Sequence, residues 1–161
     1  MNDQEWSVAP VGVHETMATA VLRRYILDIG ERYYRRRPTE AEVDAALAED
    51  PSDELAPPRG EFLLATWAGS VAGCVGVRLL EPGIAELKRM FVEPWARGRG
   101  RGALLLAAAE EAARGLGARA IRLDTRTDLV EVRALYARHG YAEIPAYNDG
   151  PYAQHWFEKR L

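Results

Sequence analysis

Three strand-like runs follow one another between Glu61 and Val92 with almost nothing between them, and this limits the fold more than any other feature of the chain. "EFLLATW" (61–67) and "SVAGCVGVRLL" (70–80) meet at Ala68-Gly69, and Glu81-Pro82-Gly83 leads into "IAELKRMFV" (84–92). Connections of that length cannot carry a crossover, so the runs are expected to form an antiparallel meander. An all-parallel sheet is thereby excluded.

Around the meander the pattern alternates between strand and helix. "EWSVAP" reads as a short first strand. From His14 to Tyr34 the apolar residues Met17, Val21, Leu22, Tyr25, Ile26 and Ile29 recur at helical spacing. Thr39 with Glu42 three residues on reads as a capping box for a helix to about Ala48. The Pro-, Asp- and Ser-rich "EDPSDELAPPRG" is a loop. After the meander, an Ala- and Leu-rich helix closes around Gly115 to Gly117. "ARAIRLDT" is a strand, Asp128 to Arg138 a helix, and "GYAEI" and "QHWFEKRL" terminal strands joined by the loop "PAYNDGPYA". The order β-α-α-β-β-β-α-β-α-β-β predicts an α/β chain (α+β mixed) with a mixed, mostly antiparallel central sheet flanked by helices.

At 161 residues this is expected to be one domain, 1–161, large enough to bury a core. No run approaches the roughly 18 to 20 apolar residues of a membrane span, and the N-terminus lacks the pattern of a secretion signal. Cys74 is the only cysteine, so no internal disulfide is expected and a reducing, cytoplasmic setting fits. Its place in an apolar strand marks it as core. A formal charge of -3 argues against a general nucleic-acid binder.

Arg97-Gly98-Arg99-Gly100-Arg101-Gly102 puts glycines at alternate positions just before the Ala- and Leu-rich helix. A helix N-terminus presents unpaired N–H groups and partial positive charge, so the guest it suits is a phosphate. Gly98, Gly100 and Ala103 also satisfy the dinucleotide spacing G-x-G-x-x-[GA], with Asp124 near the acidic position about 20 residues onward. That reading fails on context. The preceding strand is too charged for a buried parallel strand, "EPWAR" intrudes before the first glycine, and too little chain follows Asp124. A P-loop is excluded because no G-K-[ST] follows.

Read as [RQ]-x-x-G-x-[GA], Arg97 to Gly102 resembles the acetyl-CoA pyrophosphate loop of the GNAT superfamily of acyl-CoA N-acyltransferases. "AELKRMFVEP" looks like that family's central strand, and "VRALYARHGYAEI" is similar to its second signature. The resemblance implies an enzyme, an acyl-CoA-dependent N-acyltransferase, that moves an acetyl group from acetyl-CoA to a primary amine by direct attack in a ternary complex. It implies that the backbone of Arg97, Gly98, Arg99, Gly100, Arg101 and Gly102 holds the pyrophosphate. A bulge near the end of the central strand would set Met90, Phe91 and Val92 beside the pantetheine arm. Tyr136 would protonate the departing sulfur. Leu129 stands where many relatives carry a cofactor-touching Asn; Thr125 or Thr127 could replace it.

The base is open. Glu86 lies where some family members keep a carboxylate, and strand alternation groups Glu86, Lys88 and Met90 on one face, with Leu87, Arg89 and Phe91 on the other. It could equally serve in an ion pair with Lys88 or Arg89. His155, in the last strand, is the outside candidate, whereas His14 and His139 suit surface and helix-end roles. No His/Cys cluster has metal-ligand spacing, so no metal is expected. Expected partners are a small-molecule or peptide amine and neither nucleic acid nor membrane, with a homodimer allowed. The acceptor is unnamed; "RRYILDIGERYYRRR" and Tyr147, Asn148, Asp149 and Tyr152 are placed to wall its cleft. The competing reading is a non-catalytic acyl-CoA-binding or protein-interaction module of the same fold.

Overall fold

The Ala68-Gly69 turn forms the expected hairpin: both residues have positive φ, 53° and 82°, as a two-residue turn between right-twisted strands requires. It joins strands β2 (Gly60–Trp67) and β3 (Ser70–Glu81), and β4 (Ile84–Val92) returns antiparallel to β3. The meander is thus antiparallel throughout. The computed structural model describes residues 5–161.

β1 (Trp6–Pro10) pairs antiparallel with β2 on one side. On the other side β5 (Ala120–Thr125) pairs parallel with β4, and β7 (His155–Arg160) lies between β5 and the two-residue β6 (Ala142–Glu143). The seven-stranded order is β1-β2-β3-β4-β5-β7-β6, and among the described residues β4–β5 is the one parallel pair. The mixed, mostly antiparallel sheet and its order of elements match the sequence reading, with one added 3₁₀ turn at Pro94–Ala96.

Helices cover both faces. α1 (Thr16–Tyr34) and α2 (Glu40–Glu49) precede the meander, and α3 (Arg101–Gly115) and α4 (Val130–Arg138) flank β5. Strand alternation splits the core accordingly. Leu63, Val75, Leu87 and Leu123 join Leu105, Leu106 and Tyr136 in one cluster, while Phe62, Leu64, Cys74 and Phe91 join Val21 and Leu22 in the other. Met17, expected on the apolar stripe of α1, is instead exposed. The Thr39 capping box forms. Thr39 Oγ1 accepts from the Glu42 N–H at 3.1 Å, and Glu42 Oε1 accepts from the Thr39 N–H at 2.9 Å. Among the described residues no helix is long and apolar enough to cross a membrane.

The departure that matters most is one extra residue in β4. Cys74 lies opposite Phe91 and Gly76 opposite Lys88. Val75 therefore faces two residues, Arg89 and Met90, which is a β-bulge. Arg89 takes φ 61° there, and the Cys74 thiol donates to its carbonyl at 3.3 Å. Burial pushes that thiol's pKa up, so Cys74 is a core group, as expected. The bulge corrects the strict alternation read from the sequence. Met90 and Val92 pack on Leu87's side of the sheet, and Phe91 packs on the side of α1.

Gly73 is what lets β3 follow the bent strand: a Cβ there would sit 2.3 Å from the Phe91 carbonyl oxygen. Gly73→Ala is therefore expected to lower the free energy of unfolding by about 1–3 kcal/mol, read from urea denaturation with an unchanged m-value.

Candidate active site

Beyond the pairs Ile84–Ala120, Ala85–Ile121 and Glu86–Arg122, β4 and β5 share no further ladder pairing. The strands part, and a cavity of about 640 Å³ opens between them. Its walls are β4 from Leu87 to Val92, the end of β5, one side of α1, the buried side of α4, and the glycine turn before α3.

The turn is built to receive something. Gly98 and Gly100 have φ of 87° and 71°, and nothing lies within 4 Å of where their Cβ atoms would be. α3 has no side-chain N-cap. Leu104 donates its N–H to the Gly100 carbonyl at 3.2 Å, so the amides of Gly102 and Ala103, ahead of it in the first turn, have no intrahelical acceptor. Gly102 serves packing: a Cβ there would lie 3.1 Å from Leu135 Cδ2 on α4. The arginines between the glycines diverge. Arg97 stays at the cavity, its Nε donating to the Val92 carbonyl at 2.8 Å and its guanidinium pairing with Asp28 at 3.2 Å. Arg99 stacks over Trp67, at 5.4 Å. Arg101 is 1% exposed, its guanidinium against the Trp67 and Trp6 rings at 4.5 and 5.2 Å. The side chains of Arg99 and Arg101 thus brace the turn from behind, which the alternating sequence pattern did not reveal.

Met90, Phe91 and Val92 all line the cavity, from the two sides of the sheet that the bulge assigns them. Phe91 meets Tyr25 of α1 edge-on at 6.0 Å. Tyr136 lines the same cavity from α4, 3% exposed, with the Tyr141 and Phe157 rings at 5.5 and 6.3 Å. Burial pushes its hydroxyl pKa well above the usual value, so it holds its proton at any working pH.

Glu86 does not point into the cleft, contrary to the expectation from strand alternation. It is 3% exposed and does not line the cavity. Oε1 accepts from Arg78 Nε at 3.0 Å, and Oε2 accepts from the Tyr147 hydroxyl at 2.8 Å. The ion-pair partner is Arg78, not Lys88 or Arg89. Of the histidines, His155 has both ring nitrogens occupied, by Glu143 at 2.6 Å and Thr127 at 3.1 Å, and it lies outside the cavity lining. His14 pairs with Asp53 in the open, and His139 lines the cavity at the end of α4. Of the candidates to replace the missing Asn, Thr127 is taken by His155, whereas Thr125 and Leu129 face the cavity.

Asp28, Asp124 and Glu131 line the cleft, and of these Asp124, at the end of β5, is the one on the central sheet. Ile121 and Leu123 point into the core beside Ala85 and Leu87, so Arg122 and Asp124 take the face of Glu86 and Lys88. Asn148 donates to Asp124 Oδ2 at 2.8 Å and is itself oriented by Trp156 Nε1 at 2.9 Å. Desolvation pushes the Asp124 carboxyl up from its ordinary value, with Glu86 and Asp50 adding and the Asn148 N–H and the Lys88 ammonium opposing. In the sequence Asp124 stands out only as the acidic position of a dinucleotide motif. The alternation in "AIRLDT" is the signal that places it beside Glu86's face. In the loop after β6, Tyr147 and Asn148 reach over to Glu86 and Asp124, but none of Tyr147, Asn148, Asp149 and Tyr152 lines the cavity itself.

Charges tie the cavity's mouth together. Asp28 and Arg32 of α1 approach each other at 3.7 Å, Arg97 meets Asp28, and Arg32 pairs with Glu131 of α4. Two further arginines of α1 are also paired: Arg23 with Glu40 and Asp44, and Arg24 with Glu93 at 2.9 Å.

Comparison with known proteins places this arrangement among relatives. Residues 24–141 match the model of the acetyltransferase (GNAT) family. A protein described as an IAA acetyltransferase, from Azospirillum brasilense, is 40% identical over 99 residues, which are 61% of this chain and 63% of that protein. The match thus spans just under two thirds of that relative's length. An acetyltransferase of the GNAT family from Staphylococcus aureus superposes with a TM-score of 0.75 at 18% identity, covering 96% of this chain and 99% of the other. The PaiA N-acetyltransferase of Thermoplasma acidophilum, solved in complex with coenzyme A, superposes with a TM-score of 0.73 at 18% identity, covering 97% and 99%.

The environment of Asp124 is open to direct measurement. Carboxyl NMR titration is expected to place its midpoint above that of an ordinary aspartate. Asn148→Ala should move it higher still, because the lost N–H donation had favoured the charged form.

Proposed function

The chain belongs to the acetyltransferase (GNAT) family, and on that premise we propose that it transfers an acetyl group from acetyl-CoA to a primary amine. The observation that carries the reading is that the parted edge of β4 leads, through the 3₁₀ turn at Pro94–Ala96 and the glycine turn, to an α3 N-terminus with no side-chain cap. An extended arm with a diphosphate at one end suits both. The residues present fit such a group, since the positive-φ glycines leave empty space where Cβ atoms would stand.

Acetyl-CoA supplies a thioester, an acyl carbon already activated toward amines. In the proposed site the backbone of the turn from Arg97 to Gly102, with the Ala103 amide, holds the diphosphate. Met90, Phe91 and Val92 border the arm, and a backbone N–H of this stretch steadies the negative charge that develops on the carbonyl oxygen. Asp124 takes the proton from the attacking amine. Its pKa, raised above the ordinary aspartate value, makes it a stronger base than an aspartate free in water. As the N–C bond forms and the C–S bond breaks, Tyr136 gives its proton to the sulfur. One proton has then moved from amine to thiol, and exchange with solvent resets both side chains. Glu86 is a positioning residue, holding Tyr147 and Arg78 so that the loop delivers Asn148 to Asp124.

Titration of the purified protein in a calorimeter tests the donor. Saturable one-site binding of acetyl-CoA with no NADH signal is expected, and binding of neither would overturn the reading. Tyr136→Phe and Asp124→Asn should each lower kcat by about 10²–10⁴-fold while acetyl-CoA affinity is retained. Gly100→Trp should abolish binding. Unchanged function in Tyr136→Phe would favour the non-catalytic module instead.

A further inference from the structure

Two cations at the bulge of β4 converge on a single carboxylate supplied by the chain itself. Lys88 Nζ lies 3.3 Å from both carboxylate oxygens of Asp50, and the Arg89 guanidinium lies 3.3 Å from Oδ2. Asp50 stands just past the end of α2 with its side chain 57% exposed, whereas that of Arg89 is 9% exposed. Arg89 is held further by Ser52 Oγ at 3.3 Å and by the Asp50 carbonyl, on a backbone kept at φ 61°. The third cation nearby, Arg78, is already matched by Glu86 and Glu54. One exposed loop carboxylate, Asp50, is therefore the direct contact of both cations, with Asp124 adding an attraction to Lys88 at longer range.

Lys88 and Arg89 line both the main cavity and an adjoining hollow of about 420 Å³ under the loop after α2. The anion position is thus continuous with the cleft. It also lies next to Asp124. Glu86 is opposite Arg122, and two residues further along each strand are Lys88 and Asp124, on the same face of the sheet. The strands part at that point, so the space between the two side chains is cavity.

We propose that the acceptor is an amine that also carries a carboxylate, of the amino-acid class. Its amine sits against Asp124, and its carboxylate displaces that of Asp50 from Lys88 and Arg89. This rests on the acetyl-transfer reading above and names the substrate class of that site. The Asp50 carboxylate is then a stand-in that keeps the cation pair in register until the acceptor arrives.

The test is acetyl transfer by the full-length protein from acetyl-CoA to the twenty amino acids and to the carboxamide of each. At least one free amino acid should exceed its carboxamide by about tenfold or more in kcat/KM, the worth of a charge-assisted contact. Lys88→Gln should lower kcat/KM for that amino acid by about 10–100-fold, through KM, a loss at least about tenfold larger than that for the carboxamide, with acetyl-CoA affinity unchanged. Asp50→Asn removes the competing carboxylate and should lower the amino acid's KM by about threefold, a gain that a merely structural role would not produce. Equal use of acids and carboxamides, an equal loss for both in Lys88→Gln, or no amino acid acetylated by a protein that binds acetyl-CoA would each overturn the proposal. Failure to bind acetyl-CoA would instead bring down the underlying reading, and this one with it.

Discussion

The site depends on one surplus residue. β4 is paired on both sides through Glu86, and a regular ladder would carry the pairing with β5 to Arg89, opposite Thr125, and close the space where the cleft opens. The bulge at Arg89 and Met90 bends the strand and sends it away from β5. Its consequences are geometric: an unpaired strand edge, a cavity against it, and side chains redistributed between the sheet's two faces. The strained backbone at Arg89 is tolerated because its neighbours over-determine it. The Cys74 thiol satisfies its carbonyl, Gly73 makes room for that of Phe91, and Ser52 and Asp50 hold its side chain.

Electrostatics then divide the cavity into zones. At the α3 end, backbone amides and Arg97 present positive charge. In the middle, Tyr136 is buried among aromatic rings, where ionisation is suppressed. At the far end Asp124 stands beside Lys88, in a setting that favours its neutral form more than water would. A hydroxyl and a carboxylate thus lie on opposite sides of one opening, both shifted upward in pKa: Tyr136 chiefly by burial, and Asp124 by partial desolvation together with the charges around it. The ion pairs that bind α1 to Arg97 and Glu131, together with Arg126, which donates to the Ile29 carbonyl at 2.9 Å, hold the wall in place.

Much of this was legible in the sequence, for local reasons. Short connections force antiparallel pairing, the Thr39–Glu42 spacing encodes its capping box, and glycines at 98 and 100 permit positive φ at a helix start. Each depends on residues a few positions apart, so the sequence alone determined the sheet class, the order of elements, and a helix N-terminus bare enough for a phosphate. Tyr136 was legible too, because its motif and its helix place it together.

The rest was decided between segments distant in the chain. Alternation predicted one face for Glu86 and Met90, and the bulge separated them, because a register shift is a property of two strands and not of one. Glu86 looked like a base until Arg78 and Tyr147, 8 and 61 residues away, took its oxygens. Asp124 lines the cleft only because β5 lies next to β4 and parts from it. The Arg101 side chain, on which the sequence pattern is silent, is turned against Trp6 and Trp67 by packing across the sheet's edge. Local sequence dictates backbone conformation, whereas the role of a charged side chain depends on which partners the fold brings to it.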